Sequence, residues 1–113
     1  MILAKLRMSA VPEKRTEVFQ TLASLAVTIR KEKGCRRCEF FQQSEDQSSF
    51  EIIEEWQTRE ELDEHLRSSV FAILLGLGPL LVGPPAMSIY NVASSEGMEA
   101  VRKARGTSTG SLA

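Results

Sequence analysis

One histidine, His65, and one tryptophan, Trp56, lie close together in this 113-residue chain. Phe50, Ile52, Glu54 and Trp56 alternate with other residues at the two-residue period of a β-strand, so they share one face, and Glu54 is the carboxylate in an otherwise apolar row. Thr58 with Glu61 has the spacing of a capping box, which starts a short helix at Arg59 carrying Leu62, His65 and Leu66. Imidazole is the side chain whose unperturbed pKa lies near neutrality, which makes His65 the candidate general base. Trp56, Phe71 and Ile52 offer apolar walls for an aromatic ring. Glu54 could orient His65 or a substrate hydroxyl, and Tyr90 could supply a hydrogen bond. The chemistry these types support is proton abstraction from a small aromatic molecule in an apolar pocket.

Each residue also has a structural reading. Trp56 and Phe71 are large aromatics of the kind that fill cores. Glu54 can pair with a basic side chain on a neighbouring strand, and His65 can be a hydrogen-bonded structural residue. Cys35 and Cys38 form a C-x-x-C that invites a redox or metal role. Redox pairs of this spacing usually open a helix, whereas this one follows Gly34 and leads into the strand-like Glu39-Phe40-Phe41. Three residues apart on a regular strand, the two side chains are expected on opposite faces, where a disulfide is geometrically poor. A structural zinc needs about four ligands, and Cys35, Cys38 and His65 are too few.

The elements that position these residues follow from periodicity. Ile2, Ala4, Leu6 and Met8 alternate with Leu3, Lys5 and Arg7 as strand one. Pro12 stands at a helix start, and Val18, Leu22, Leu25 and Ile29 predict an amphipathic helix over about 13–32 that Gly34 ends in a left-handed conformation. Strands two and three, at about 35–43 and 49–56, form an antiparallel hairpin. Ser69 is read as capping a further helical piece through Leu75, and Gly76 to Pro85 breaks the chain before strand four at Ala86 to Val92. The order βαββαβ is an α+β, ferredoxin-like arrangement whose antiparallel sheet carries its helices on one face. Apolar residues on both faces of strands one and four predict a homodimer formed through the open sheet. Residues 1–92 make the domain and 93–113 a tail, with a short helix near Glu96 to Ala104 and a disordered end from Gly106.

Composition narrows the classes. A hydrophobic fraction of 42%, a charged fraction of 26% and a net charge of −1 are ordinary for a globular domain and favour no nucleic-acid partner. The apolar stretch from Val70 to Val82 is interrupted by Gly76, Gly78 and Pro79, and is too short for a bilayer core of about 30 Å. Neither a signal peptide nor a membrane span is indicated at Met1 to Arg7, so a cytoplasmic location is expected. No G-x-G-x-x-G fingerprint or nucleophile elbow is present, and no nucleotide, flavin or metal cofactor is expected.

The series Phe50-x-Ile52-x-Glu54-x-Trp56, a polar turn, His65 on the next helix and Ser68-x-x-Phe71, together with Gly34-Cys35 opening strand two, resembles the antibiotic biosynthesis monooxygenase (ABM) family. The resemblance covers about residues 1–92. It implies a dimeric α+β barrel with a cavity between sheet and helices in each subunit, and a quinol-type monooxygenase that uses O2 without flavin or metal. Relatives degrade haem, but that branch places an Asn on strand one, and residues 2–8 contain none. A non-catalytic dimer binding a small hydrophobic ligand remains an alternative. So does an isomerase of a sugar-like metabolite, for which Arg7 and Arg67 would have to converge on the cavity.

Overall fold

The computed structural model describes residues 1–106. Strand β1 spans Ile2–Ser9 and buries Ile2, Ala4, Leu6 and Met8 on alternate positions, as its pattern requires. Pro12 opens one tight turn, Pro12–Lys14, before helix α1 runs over Arg15–Ile29. The helix is shorter than the periodicity suggests because both ends tighten into i to i+3 hydrogen bonds: Lys14 N–H to the Val11 carbonyl at 2.8 Å, and Glu32 N–H to the Ile29 carbonyl at 3.0 Å. Strand β2 follows at Cys35–Gln42, β3 at Ser49–Trp56, α2 at Arg59–Leu66, α3 at Ser69–Leu75, β4 at Ala86–Asn91 and α4 at Met98–Arg105. The Thr58–Glu61 cap forms as expected, the Glu61 N–H donating to Thr58 Oγ1 at 3.2 Å. Helix α3 is capped by Ser68 and not Ser69, the Phe71 N–H donating to Ser68 Oγ at 3.2 Å.

The sheet has the order β2-β3-β1-β4 with every neighbouring pair antiparallel. This is the ferredoxin-like βαββαβ arrangement, with α1, α2 and α3 packed on one face. Val18, Leu22, Leu25, Ala26 and Ile29 from α1, Leu62 from α2, and Phe71 and Leu74 from α3 close over Ile2, Ala4, Leu6, Phe50, Ile52 and Trp56. The register lines up three cross-sheet rows on this inner face: Cys35–Trp56–Ile2–Asn91, Cys38–Glu54–Ala4–Ile89 and Phe40–Ile52–Leu6–Met87. Strand β4 is an edge strand with little cover on either side, Ile89 alone being half-buried. No helix among the described residues is long and apolar enough to cross a membrane.

Two expectations are corrected. Cys35 and Cys38 do not point to opposite faces. A β-bulge between Cys35 and Arg37 inserts one extra residue, so Cys35 pairs with Trp56 and Cys38 with Glu54, and both sulfurs belong to the inner face as free thiols. The apolar surface on the outer face is also narrower than the strand patterns imply. Leu3, Ile53, Phe41 and Tyr90 are interspersed there with Lys5, Arg7, Glu39, Glu51 and the Arg37–Glu55 pair at 3.0 Å. The short helix expected near Glu96 exists as α4, which buries none of its residues. Beyond Gly106 the expected disordered end lies outside the described residues.

Gly34 is where the loop after α1 meets α2. It adopts φ +84°, and a side chain there would run into the Glu61 carboxylate. Its carbonyl accepts the Gln57 N–H at 2.9 Å. The left-handed backbone strains any side chain there, and the Glu61 carboxylate would have to swing aside, so Gly34→Ala should destabilise the domain by about 1 kcal/mol in urea denaturation. An unchanged midpoint would show that the loop can leave the left-handed conformation without cost.

Candidate active site

Strand β3 delivers Glu54 and Trp56 to the inner face, and α2 lays His65 over them. The His65 and Trp56 rings stack with centroids 4.8 Å apart and planes 27° apart. Phe71, brought in by the Ser68 cap, meets the His65 ring edge-on at 5.5 Å. Three of the expected residues therefore surround the fourth. Ile52 lies one row further along the same face, in the core beside Leu6 and Phe40. Tyr90 is not at the site. It pairs with Leu3 on the outer face, is 47% exposed, and has Lys5 Nζ over its ring at 5.9 Å. Arg7 and Arg67 are exposed, and Arg7 lies on the outer face, so neither converges on His65.

The polar atoms form one array. Trp56 Nε1–H donates to Glu54 Oε1 at 2.9 Å. The other Glu54 oxygen, Oε2, stands 3.4 Å from His65 Nε2, close enough for charge attraction but without the alignment of a full hydrogen bond. On the far side of the ring, Nδ1 hydrogen-bonds Glu32 Oε2 at 2.9 Å. Each ring nitrogen thus faces a carboxylate oxygen, and a ring carrying both protons satisfies both acceptors. Burial of the imidazole opposes its charge, but the close Glu54 carboxylate and the charge and hydrogen bond of Glu32 outweigh it, and the His65 pKa is raised above its ordinary 6.5. The two carboxylates lie on opposite edges of the ring, and among the described residues no cluster of three or more His, Cys, Asp or Glu side chains could hold a metal ion.

Glu32 is the member that sequence reasoning missed. It lies 33 residues from His65 in a run of charges, Arg30-Lys31-Glu32-Lys33, that reads as a solvated helix end. The cysteines are neighbours of the array through the bulge. Burial pushes the Cys38 thiol up to about 12, with Glu54 adding to the effect, and burial likewise raises Cys35. Neither is disposed to act as a thiolate nucleophile.

The array is closed. His65 is 1% exposed and Trp56 is wholly buried, which leaves no room even for a water against the stacked faces. Helices α2 and α3, through Leu62 and Phe71, form the cover. Because an imidazolium accepts an electron from excited indole and quenches its emission, the fluorescence of the only tryptophan should be low at acid pH and rise as pH passes upward through the raised His65 pKa. His65→Leu should abolish this transition. A transition that survives the substitution would assign it to another group.

Residues 1–72 match the family model described as ABM, antibiotic biosynthesis monooxygenase. That segment carries Glu32, Glu54, Trp56, His65 and Phe71. A candidate antibiotic biosynthesis monooxygenase from Deinococcus radiodurans has a similar structure, with a TM-score of 0.80 at 21% identity over 86% of this chain and 97% of that one. Rv0793 from Mycobacterium tuberculosis gives a TM-score of 0.78 at 22% identity over 85% and 98%. At these identities the likeness concerns the fold. A conserved protein from Methanosarcina mazei is 28% identical with a TM-score of 0.74, over 80% of this chain and 90% of that one. The protein sll1783 of Synechocystis is 28% identical over 86 residues, and the chain spans 58% of its length. The matched segment holds the full stacked array, and the chain belongs to the antibiotic biosynthesis monooxygenase family.

Proposed function

We propose that this chain is a monooxygenase of the quinol type, acting on a small electron-rich aromatic with O2 and no bound cofactor. The observation that carries the reading is the His65 ring, stacked on Trp56 and flanked by two carboxylates inside a domain of this family. His65 in its neutral form takes a proton from the substrate, and the resulting anion is electron-rich enough to react with O2 directly. One oxygen atom becomes a new carbonyl oxygen on the substrate ring and the other leaves as water, the substrate supplying the electrons. Trp56 and Phe71 present flat apolar surfaces to the aromatic ring, and Glu54 fixes the Trp56 edge while steering the imidazole. Substrate enters by displacing the short α2–α3 pair, whose closure afterwards excludes water from the anion.

The apolar contacts of Trp56 and Phe71 with the His65 ring also suit one other reading, a dimer that binds a small hydrophobic ligand without turnover. The exposed positions of Arg7 and Arg67 give no support to a sugar-like or phosphorylated substrate.

We further infer a homodimer joined through the outer sheet face. Leu3, Ile53, Phe41 and Tyr90 supply its apolar contacts, while Arg37, bonded to Glu39 and Glu55, Lys5 and Glu51 supply a charge pattern that can pair with its own copy. The interface should bury more than about 2,000 Å² in total. Sedimentation at micromolar concentration should give a dimer, and a folded monomer there would rule this assembly out.

Oxygen uptake across a panel of quinols and anthrones, with protein freed of metal and flavin, tests the activity. His65→Ala should lower turnover by roughly 10²- to 10⁴-fold, the range of general acid–base catalysis, while leaving the oligomeric state unchanged. If no compound consumes oxygen above the protein-free rate, or if the variant is equally active, the monooxygenase reading fails. A change in Trp56 fluorescence on adding ligand without oxygen uptake would support the binding reading.

A further inference from the structure

Glu32 is the one member of the array that reaches the surface. Its side chain is 23% exposed, whereas that of His65 is fully buried and that of Glu54 nearly so. The loop that holds it is fixed at both ends. Glu32 N–H donates to the Ile29 carbonyl at 3.0 Å, the Glu32 carbonyl accepts the Cys35 N–H at 3.1 Å, and Gly34 ties the same loop to Gln57 at the start of α2. The carboxylate is therefore set against His65 Nδ1 by backbone on both sides.

This geometry has a chemical consequence. Accepting from Nδ1, Glu32 fixes the neutral imidazole as the Nδ1–H tautomer and leaves the Nε2 lone pair turned toward the Glu54 side, where a substrate hydroxyl would have to lie. A proton arriving at Nε2 would otherwise be trapped in the interior. With Glu32 in place, the ring can pass its Nδ1 proton outward as it gains one at Nε2.

We propose that Glu32 is a positioning residue for His65 and the outlet by which the substrate proton leaves the buried site. The substrate O–H breaks and Nε2–H forms. The Nδ1–H proton then moves to Glu32 Oε2, and Glu32 releases it to water, leaving the ring as its Nε2–H tautomer; the ring resets when Nε2 gives its proton to the oxygen that leaves as water and Nδ1 regains one from solvent through Glu32. The charged and titratable groups around the ring are accounted for: Glu54 from β3, Glu32 from the α1–β2 loop, and Cys35, Cys38 and Arg30 lying near these two carboxylates. Only Glu32 connects this set to solvent through a direct bond to the ring. The role rests on the monooxygenase reading for its catalytic part, but the effect on His65 does not.

The test is Glu32→Gln, whose amide oxygen still accepts from Nδ1 but carries no charge and takes no proton. As His65 is the only histidine, its ¹⁵N resonances report tautomer and titration without assignment. In Glu32→Gln the His65 titration midpoint should move to lower pH with the Nδ1–H tautomer retained. Glu32→Asp, which keeps the charge, should hold the midpoint nearer to that of the parent. In oxygen uptake the rate should rise with pH through the His65 midpoint, and this limb should shift to lower pH in Glu32→Gln while kcat falls and KM is kept. An unchanged midpoint in Glu32→Gln, or a full kcat retained alongside a shifted midpoint, would overturn the proposal. If the parent protein consumes no oxygen with any substrate, the outlet role falls with the monooxygenase reading, and the titration alone decides whether Glu32 positions His65.

Discussion

A buried imidazole with a carboxylate at each nitrogen is a demanding object to place inside a small domain. Desolvation alone would neutralise the ring, and an unpaired nitrogen would cost about 1–3 kcal/mol. Much of the inner face is arranged around meeting that demand. Glu54 is held by Trp56 Nε1, Trp56 is held flat against the ring by stacking, and Glu32 is held by a turn that glycine makes possible. Removing any one partner leaves another charge or donor unsatisfied in a low-dielectric setting, so the members should behave as a unit and not as additive contacts.

The same arrangement explains why the cover is built from two short helices. An α2 of eight residues capped by Thr58, followed by an α3 of seven capped by Ser68, places His65 at the end of one and Phe71 near the start of the next. A single longer helix would carry these side chains apart along its axis. The break at Ser68 instead folds Phe71 back onto the edge of the imidazole, and the Ser68 hydroxyl bonds the His65 carbonyl at 2.6 Å as it caps α3. Position and closure come from one turn. Short helices owe most of their stability to packing, and this pair takes it from Leu62, His65, Phe71 and Leu74.

The centre of the site was legible in the sequence because it is written locally. Alternation in β3 put Glu54 and Trp56 on one face, and the Thr58 cap fixed where α2 began and hence which way His65 pointed. Residues joined only by tertiary contact were not legible. Glu32 meets His65 across the turn between α1 and β2, and nothing in a run of mixed charges marks one carboxylate as turned inward. Tyr90 offered a hydroxyl for hydrogen bonding, but the face it takes is settled only by pairing with β1, which turns it outward. The cysteines were misplaced for a related reason: a bulge changes the phase of a strand by one residue, and its presence depends on how β2 meets β3.

That bulge also shapes the floor beneath the imidazole. By restoring Cys38 to the inner face, it makes the Glu54 row read Cys38–Glu54–Ala4, with a small side chain on either side of the carboxylate, between rows built on Trp56 with Ile2 and on Phe40, Ile52 and Leu6. Glu54 is thereby the one long side chain of its row across these three strands, and its carboxylate reaches both Trp56 Nε1 and the His65 ring. A longer side chain in place of either Ala4 or Cys38 would crowd that carboxylate and turn it from the ring.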